Sequence, residues 1–559
     1  MRFGKLLLLV VVLGIGCLQM QCAESKAGTN VKDACARGER SWTPIERDIW
    51  MQLCRNGNAS GARVSRKIRD SSSAHQPIRA EFLQKILIAS PYRERVEKGI
   101  SLTDMRLLGM LSINSTKLKG DIALSSFDAP DGIWFQSVVL DGSLSLDVCF
   151  RFFIMASSRV QGDLKMSVPD TCQSESILMP KTEVGGVLEL VRSTFWFADL
   201  SGLRTGRGLS LHGSTGAVVS LTDAYVDGPV DLTDLVLSNE IKGADLSSIR
   251  PRRVLENRER VLSLDGLRAT STVDLSGAET DGPVGVSDAR IEGSLIFTGA
   301  SFPSLVDVSN SNIGKRLEVG PVVIGEFSAE PIRWGPKSLL TLDNTSISTI
   351  ATPFDLDSWP AKMDLSNLTF TSFFERRVAN TRGLISKPPP LTILALNAWF
   401  PLWLCRSVAD PFNPQPYETV GHYLTSIGQL EAAEAVGVAE KDHQLAQAWK
   451  DNNYGTCIFL LFSRATVLYG YQLWRAALWA IFFVALGALV FRRTLEAYNN
   501  CMPIGLAYSF DMFIPLIKLR ERHYKIELSG RARYYFYLHK LAGWVLGSFL
   551  VAAVSGLTK

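Results

Sequence analysis

Pairs of apolar residues separated by one intervening residue recur every eleven positions in the middle of the chain. Between residues 271 and 319 they keep one register through five pairs: Val273/Leu275, Val284/Val286, Leu295/Phe297, Val306/Val308 and Leu317/Val319. The intervening residue is mostly polar. An apolar–polar–apolar triplet is typical of a short strand with one buried face. The pattern therefore predicts a series of short strands, each followed by a corner.

The same spacing extends back towards residue 99 with a few irregular steps. Earlier pairs include Ile122/Leu124, Ile133/Phe135, Leu144/Leu146, Leu164/Met166, Leu188/Leu190, Leu209/Leu211 and Val230/Leu232. Small residues follow the same period at Ala278, Ala289, Ala300 and Ser311. Glycines stand two residues before many pairs, as at Gly142 and Gly293, where we expect the chain to turn.

A unit of one strand and one corner cannot bury its apolar pair alone, so the copies must stack. Two units make a coil of about 22 residues, and each strand pairs with the next coil's strand about 4.8 Å away. We predict a mainly β fold, a right-handed parallel β-helix with half-coils of about 11 residues, over residues 99–385. A leucine-rich repeat is the alternative, disfavoured because the units are short and no asparagine ladder is present.

Helical patterns flank the predicted solenoid. The stretch "TPIERDIWMQLC" opens with Thr, Pro and acidic residues, and "IRAEFLQKILIAS" places its apolar residues on one helical face, which predicts an N-terminal helical cap over 24–98. After Pro388–Pro390, the pattern predicts a linker and an α-helical hairpin over 386–455.

Two apolar runs near the C-terminus predict two transmembrane helices, about 473–491 and 541–557, in a membrane domain over 456–559. The connection at 492–540 carries nine basic residues against four acidic ones: Arg492, Arg493, Lys518, Arg520, Arg522, Lys525, Arg531, Arg533 and Lys540. Since basic loops stay in the cytoplasm, this loop is predicted to be cytoplasmic. Asp511, in an apolar stretch of the loop, is expected near the lipid headgroups.

The first 23 residues have a basic start, an apolar run and a polar end, which predicts a signal peptide over 1–23. An uncleaved anchor and a lipidated Cys17 are the alternatives. Either a signal peptide or an anchor would place the solenoid on the exported side, in agreement with the basic loop.

Six cysteines fall on the predicted exported side. Nearest-neighbour pairing gives the disulfides Cys35–Cys54, Cys149–Cys172 and Cys405–Cys457, although six cysteines allow fifteen connectivities and several could be free thiols. The formal net charge of +4 is small for 559 residues, so no nucleic-acid partner is expected.

No motif for catalysis, cofactor binding or metal binding is found in the sequence. The six histidines form no HExxH pair or close cluster, and GxSxG and phosphate-loop patterns are absent. We therefore predict no catalytic residue, cofactor or metal. Asp231, Asp274, Asp307 and Glu318 lie between paired apolar residues and could form an outward acidic row, as a polysaccharide-cleaving β-helix would need. Outward positions on a solenoid are polar in any case, which favours a row without catalysis.

The chain resembles a largely uncharacterised family of bacterial membrane-associated proteins with pentapeptide-like β-helix domains. The resemblance depends on "IRAEFLQKIL", "GISLTDMRLLGMLSI", "PQPYETVGHYL", "YGYQLWRAALWAIFFVALGALVF" and "SFDMFIPLIKL". It implies integral placement in a bacterial inner membrane, and with the exported solenoid it implies a periplasmic β-helix. Some relatives are labelled oxidoreductases. That label is not carried over, because Gly206-Arg207-Gly208 lacks a third glycine and precedes a strand.

Together these features predict a non-enzymatic, membrane-anchored cell-envelope protein whose exported β-helix is a binding or scaffold surface. The expected partner is another envelope protein or a glycan. Two alternatives stay open: a periplasmic carbohydrate-active enzyme, and a membrane sensor or gate coupled to the solenoid.

Overall fold

The structure is a computed structural model whose contacts divide the chain into two compact units, Met1–Ile385 and Ser386–Lys559. It describes residues 35, 38–68, 75–169, 171–172, 174–238, 260–320, 323–324, 327–328, 332–375, 393–408, 411–494, 505–514 and 519–554. The predicted signal peptide at 1–23 and the Pro388–Pro390 run lie outside these residues.

The first unit is a parallel β-solenoid whose regular coils have four sides. In one coil, Val273–Asp274 forms side 1, Glu279–Thr280 side 2, Val284–Gly285 side 3 and Arg290–Ile291 side 4. Leu295 then pairs in parallel with Val273, 295 − 273 = 22 positions later. The prediction of a parallel solenoid is therefore confirmed, and the eleven-residue unit is half a coil. Its right-handedness stays a prediction.

Each side is a ladder of strands from successive coils. Side 3 is an 11-stranded sheet, with one strand from each turn. Its strands are Leu111–Asn114, Ile133–Gln136, Phe152–Ala156, Ser176–Leu178, Phe197–Asp199, Val218–Ser220, Leu262–Ser263, Val284–Gly285, Leu305–Asp307, Leu339–Thr341 and Lys362–Asp364. Side 2 contains Thr215–Gly216, Val236–Leu237, Glu279–Thr280, Ser301–Phe302 and Arg333–Trp334.

Sides 1 and 4 belong to one 22-stranded sheet, because the long strand Asn312–Glu318 pairs with Arg290–Ile291 of side 4 and with Leu295–Ile296 of side 1. Side 1 contains Gly99–Leu108, Asp121–Ala129, Leu144–Phe150, Leu164–Ser167, Val187–Leu190, Gly208–Ser210, Val230–Asp231, Val273–Asp274 and Leu295–Ile296. Side 4 contains Lys117–Leu118, Val139–Leu140, Arg159–Val160, Glu183–Val184, Arg204–Thr205, Tyr225–Val226, Arg268–Ala269 and Arg290–Ile291. Asn312–Glu318, Ser346–Thr352 and Thr369–Glu375 continue both. A short antiparallel pair, Val323–Ile324 with Phe327–Ser328, stands apart.

The core is a column of inward side chains that repeats from coil to coil. Sides 1 and 3 contribute the apolar pairs found in the sequence, such as Val273 with Leu275, and both residues are fully buried. Side 4 instead begins with a small residue and continues with a larger one, as at Ala289 and Ile291, which are also buried. The small residue leaves room for the chain to bend at the corner.

Left-handed backbone marks the corners before sides 2 and 4. The residue before each small buried one has a positive φ, 70° at Gly277 and 55° at Asp288, a region that Gly, Asp and Asn tolerate best. The glycines singled out in the sequence have another role. Gly293 has ordinary dihedrals, but a Cβ on it would lie 2.4 Å from the backbone carbon of Ser271 in the preceding coil. Close stacking of coils, and not the turn itself, requires that glycine.

Helices and two short strands precede the first coil. The helices are Pro44–Asn56, Gly61–Ile68, Ala80–Ile88 and Tyr92–Arg95. The strands Asn58–Ser60 and Gln76–Arg79 both pair in parallel with Gly99–Leu108, so this region extends the solenoid sheet.

The second unit is helical in its described residues. Its helices are Ile393–Leu404, Gln415–Ser426, Leu430–Lys450, Tyr454–Val467, Trp474–Arg492, Leu506–Phe513, Glu521–Tyr524 and Arg531–Val554, and 3-10 turns lie at Leu356–Ser358 in the first unit and Leu468–Gly470 in the second.

One helix among the described residues, Trp474–Arg492, is long and apolar enough to cross a membrane. The prediction of two spans is therefore wrong by this criterion. The second predicted run belongs to the helix Arg531–Val554, which begins with Arg531, Arg533 and Lys540. Its described apolar part from Leu541 to Val554 covers only about 21 Å at 1.5 Å per residue, less than a hydrocarbon core of about 30 Å.

Candidate functional site

A polar groove runs along side 3 of the solenoid across successive coils. Its volume is about 580 Å³. Outward polar residues of the strands and of the turns that follow them line it: Asp199, Ser201, Ser220, Thr222, Arg260, Ser263, Asp265 and Ser287. We call it the side-3 groove.

Arg260 binds two carboxylates in this groove. Its Nη2 donates to Asp307 Oδ2 at 2.5 Å, and its Nη1 donates to Asp265 Oδ1 and to Ser287 Oγ at 3.2 Å. The guanidinium lies over Gly285, where any Cβ would collide with Arg260 Nη1. Gly285 occupies the outward position of its strand, so its missing side chain provides the space that Arg260 fills.

Hydroxyl groups connect Asp265 to the neighbouring coils. Ser263 Oγ donates to Asp265 Oδ2 at 2.7 Å, and Ser287 Oγ donates to Asp265 Oδ1 at 2.6 Å. Thr222 Oγ1 lies 2.9 Å from Ser263 Oγ and 3.1 Å from Ser220 Oγ. The groove floor is therefore a continuous hydrogen-bonded ladder of hydroxyls that crosses coils.

The ladder also determines the protonation of Asp265. Burial alone would raise the pKa of Asp265, but hydrogen bonds from Ser263 and Ser287 and the charge of Arg260 together lower it below its usual range. Asp265 is therefore an ionised hydrogen-bond acceptor at neutral pH and not a proton donor.

The four acidic residues of the predicted row do not share one side. Asp231 pairs with Asp274 on side 1, and Ile296 separates Asp274 from Glu318 along the same ladder. Asp307 lies on side 3, next to Gly285. Glu318 is only 8% exposed, so it does not form an outward row with the two aspartates. The prediction of a single row is wrong because successive eleven-residue units alternate between sides 1 and 3.

The aspartates of the row instead close the turns after their strands. Asp274 Oδ1 accepts hydrogen bonds from the backbone N–H of Ser276 at 2.9 Å and from its hydroxyl at 2.5 Å. Asp231 makes the same contacts with Thr233, at 3.1 and 2.6 Å. Such Asx turns stabilise a corner, which gives these carboxylates a structural role.

Two of the predicted disulfides, Cys35–Cys54 and Cys149–Cys172, are present in the structure. The predicted bond between Cys405 and Cys457 is not formed, and both are free thiols. Cys457 is 1% exposed and packs with Leu445, Ala448 and Leu460 in an apolar cluster, whereas Cys405 is exposed.

No group of three or more His, Cys, Asp or Glu side chains that could hold a metal occurs among the described residues. Comparisons of the chain with models of protein families, with curated proteins and with solved structures find no match. Membership of the membrane-associated family stays a prediction, and the functional argument depends on the geometry of the chain itself.

Sequence reasoning missed Arg260, the residue that organises the groove. Its neighbourhood has no motif, because Arg260 follows residues 239–259, which interrupt one coil in sequence between the side-2 strand Val236–Leu237 and the side-3 strand Leu262–Ser263. A weak signal was available at Gly285, the one residue between an apolar pair of the quoted register that is neither polar nor large.

Proposed function

We propose that this chain is a non-enzymatic, membrane-anchored cell-envelope protein whose exported solenoid binds a partner along its sides. The side-3 groove carries the proposal. It is open, polar and lined by hydroxyls that can exchange hydrogen bonds with the hydroxyls of a sugar chain. A glycan is therefore the partner that we favour over another envelope protein.

The charges of the groove favour binding over hydrolysis. A glycosidase needs one carboxyl with a raised pKa as proton donor and a second as nucleophile or base. In this groove Arg260 binds Asp265 and Asp307, and the lowered pKa of Asp265 removes it as a proton donor. Both carboxylates are thus already engaged within the protein.

The helix Trp474–Arg492 supports the membrane anchor in this proposal. The basic residues that follow it support a cytoplasmic position for the segment after the helix. The solenoid, which precedes the helix in the chain, would then lie on the exported side, the periplasm if the cell is bacterial.

The test uses the purified full-length chain in detergent micelles with cellohexaose, chitohexaose and maltohexaose as probes. The groove variant is Ser201→Ala with Thr222→Val, and the matched control is Ser276→Ala with Thr233→Val on side 1. Isothermal titration calorimetry should show binding of at least one probe that falls about tenfold, about 1.4 kcal/mol, in the groove variant and is unchanged in the control.

Equal loss in both variants, or no binding of any probe, would refute a glycan-binding groove. Release of reducing ends from a bound probe would show the carbohydrate-active enzyme instead.

A further inference from the structure

A second pocket, of about 290 Å³, lies in the helical unit at the start of the helix Arg531–Val554. Arg533, Phe536 and Lys540 line it from the helix, and His523 and Glu527 line it from the segment before. We call it the Lys540 pocket. It belongs to a different unit of the chain from the side-3 groove, and the proposed glycan binding does not use it.

Two cations of this pocket, Arg533 and Lys540, contact aromatic side chains in the described part of the chain. Lys540 Nζ lies 4.7 Å from the ring centroid of Phe536 and 5.6 Å from that of Tyr524. Arg533 Nε donates to the Tyr537 hydroxyl at 3.3 Å. Neither cation makes an ion pair within 4.0 Å with a carboxylate of the described chain. Arg533 and Lys540 are seven positions apart, about two helical turns, so both lie on one face of the helix.

Glu527 supplies the negative charge among the described lining residues. Arg533 and Lys540 supply two positive charges, so the lining has a net charge of about +1 if His523 is neutral. Aromatic side chains and the apolar side chains of Met512, Ile526 and Leu528 complete the lining. The pocket therefore fits a compact anion attached to a less polar group.

The wall opposite the helix is fixed by a buried carboxylate. Asp511 is fully buried and accepts the backbone N–H groups of Leu519 at 2.9 Å and Arg520 at 3.2 Å. Its Oδ2 also lies 2.8 Å from His523 Nδ1. These bonds attach the segment 519–524 to the helix Leu506–Phe513, so the pocket is formed before any ligand binds.

The packing places this pocket near one end of the candidate span. Phe491 is the penultimate residue of the helix Trp474–Arg492, and its ring centroid lies 5.5 Å from that of Tyr535 and 6.3 Å from that of Phe536. Arg492 follows Phe491, and the apolar part of the second helix begins just after Lys540. Basic residues and tyrosines at the end of a span are typical of the headgroup region of a bilayer.

The geometry points to the Lys540 pocket as a binding site for the phosphate of an anionic phospholipid headgroup. Lys540 supplies a point charge and Arg533 a fork of N–H donors, both of which bind phosphate oxygens. The lipid's acyl chains would continue along the apolar helices. This inference rests on the proposed membrane anchoring.

The experiment uses full-length protein in nanodiscs of phosphatidylcholine with one fifth phosphatidylglycerol, followed by native mass spectrometry after release into detergent. The pocket variant is Arg533→Gln with Lys540→Gln. The matched control is Arg522→Gln with Lys525→Gln, which removes two exposed charges from the same segment outside the pocket.

We expect the unmodified chain and the control to retain phosphatidylglycerol and the pocket variant to retain about tenfold less. Equal loss in both variants would show that only the general charge of the segment matters and would overturn the site. Displacement of the lipid by millimolar inorganic phosphate, without any preference for phosphatidylglycerol, would show a free-phosphate site and overturn the lipid assignment.

Alkaline carbonate extraction of membranes that contain the unmodified chain tests the anchor separately. Release into the soluble fraction would refute membrane anchoring itself. Retention in the membrane with no preference for the anionic lipid would refute only the pocket.

Discussion

At the scale of single residues, Asp265 makes the stability of the folded solenoid depend on pH. Its pKa is lowered in the folded chain, because the hydroxyls and Arg260 outweigh its burial. A lowered folded pKa contributes stability above the unfolded value of about 3.9, and this stability disappears as the pH falls through the folded pKa. Asp265→Asn should therefore lower the stability by about 1 kcal/mol at pH 7.

Thermal unfolding followed by circular dichroism at pH 7 and at pH 3 measures this effect. The difference between the unmodified chain and Asp265→Asn should shrink towards zero at the lower pH. Asp288→Asn, at an exposed corner of the next coil, is the control and should change little at either pH. A constant difference at both pH values would contradict the ionised state of Asp265.

Gly293 provides a second prediction at this scale. Gly293→Ala would place a methyl group against backbone atoms of Ser271 and Thr272, which side-chain rotation cannot relieve. We expect a loss of about 2 kcal/mol or more, in the range of overpacked cores, and a lower melting temperature. Glu292→Ala, at the exposed neighbouring position, should leave the melting temperature within about 2 °C. Equal melting temperatures for the two variants would contradict the close stacking of the coils.

The sequence predicts some residue roles well and others poorly, for a physical reason. Inward residues such as Val273 and Leu275 follow from alternation, because strand geometry alone sends them to one face. The small residues such as Ala289 are visible in the sequence, but that they mark the corners, and that Asp288 before one of them has left-handed backbone, becomes clear only in three dimensions. Arg260 could not be placed at all, because its partners Asp265 and Asp307 come together only when coils stack.

At the scale of elements, the eleven-residue unit explains both the success and the error of the sequence prediction. Glu318 lies 318 − 274 = 44 positions after Asp274, which is four units, and it returns to side 1. Asp307 lies 307 − 274 = 33 positions away, three units, and falls on side 3. Two units make one coil, so residues an even number of units apart return to the same side and residues an odd number apart lie on different sides.

The helix Trp474–Arg492 yields a prediction about the membrane. Ile481 lies near its middle and is 66% exposed, so an arginine there would face lipid. An arginine at the centre of a span costs about 2.5–3.5 kcal/mol on insertion scales. Ile481→Arg should therefore increase the fraction of the chain that alkaline carbonate extracts from membranes.

Ile427→Arg is the control for this substitution. Ile427 is 49% exposed in the turn between two helices outside the candidate span. The fraction extracted should be unchanged in this variant. If both variants are extracted equally, and more than the unmodified chain, then exposed apolar residues in general hold the chain to membranes. This helix would then not be the anchor.

At the scale of the whole molecule, one span instead of two leaves the proposed side of the solenoid unchanged. The solenoid precedes the helix Trp474–Arg492 in the chain and the basic residues follow it, so in the proposed topology they would lie on opposite sides of the membrane with either number of spans. The arrangements with one span and with two spans differ only in the side of the membrane on which the segment after the last helix would lie. With one span, the helix Arg531–Val554 would lie on the side of the basic segment, an arrangement favoured by Arg531, Arg533 and Lys540 at its start and by its short described apolar part.

Labelling of intact cells with a membrane-impermeant maleimide distinguishes the two arrangements. Ser201→Cys should be labelled in intact cells, and Lys525→Cys only after the membrane is permeabilised. Peptide mass spectrometry identifies the labelled sites, so that native thiols such as Cys405 do not interfere. An epitope tag added after Lys559 should be inaccessible to antibody in intact cells, as Lys525→Cys is inaccessible to the maleimide. A tag accessible from outside would show that the last helix crosses the membrane, and labelling of Ser201→Cys only after permeabilisation would place the solenoid in the cytoplasm and refute the proposed function.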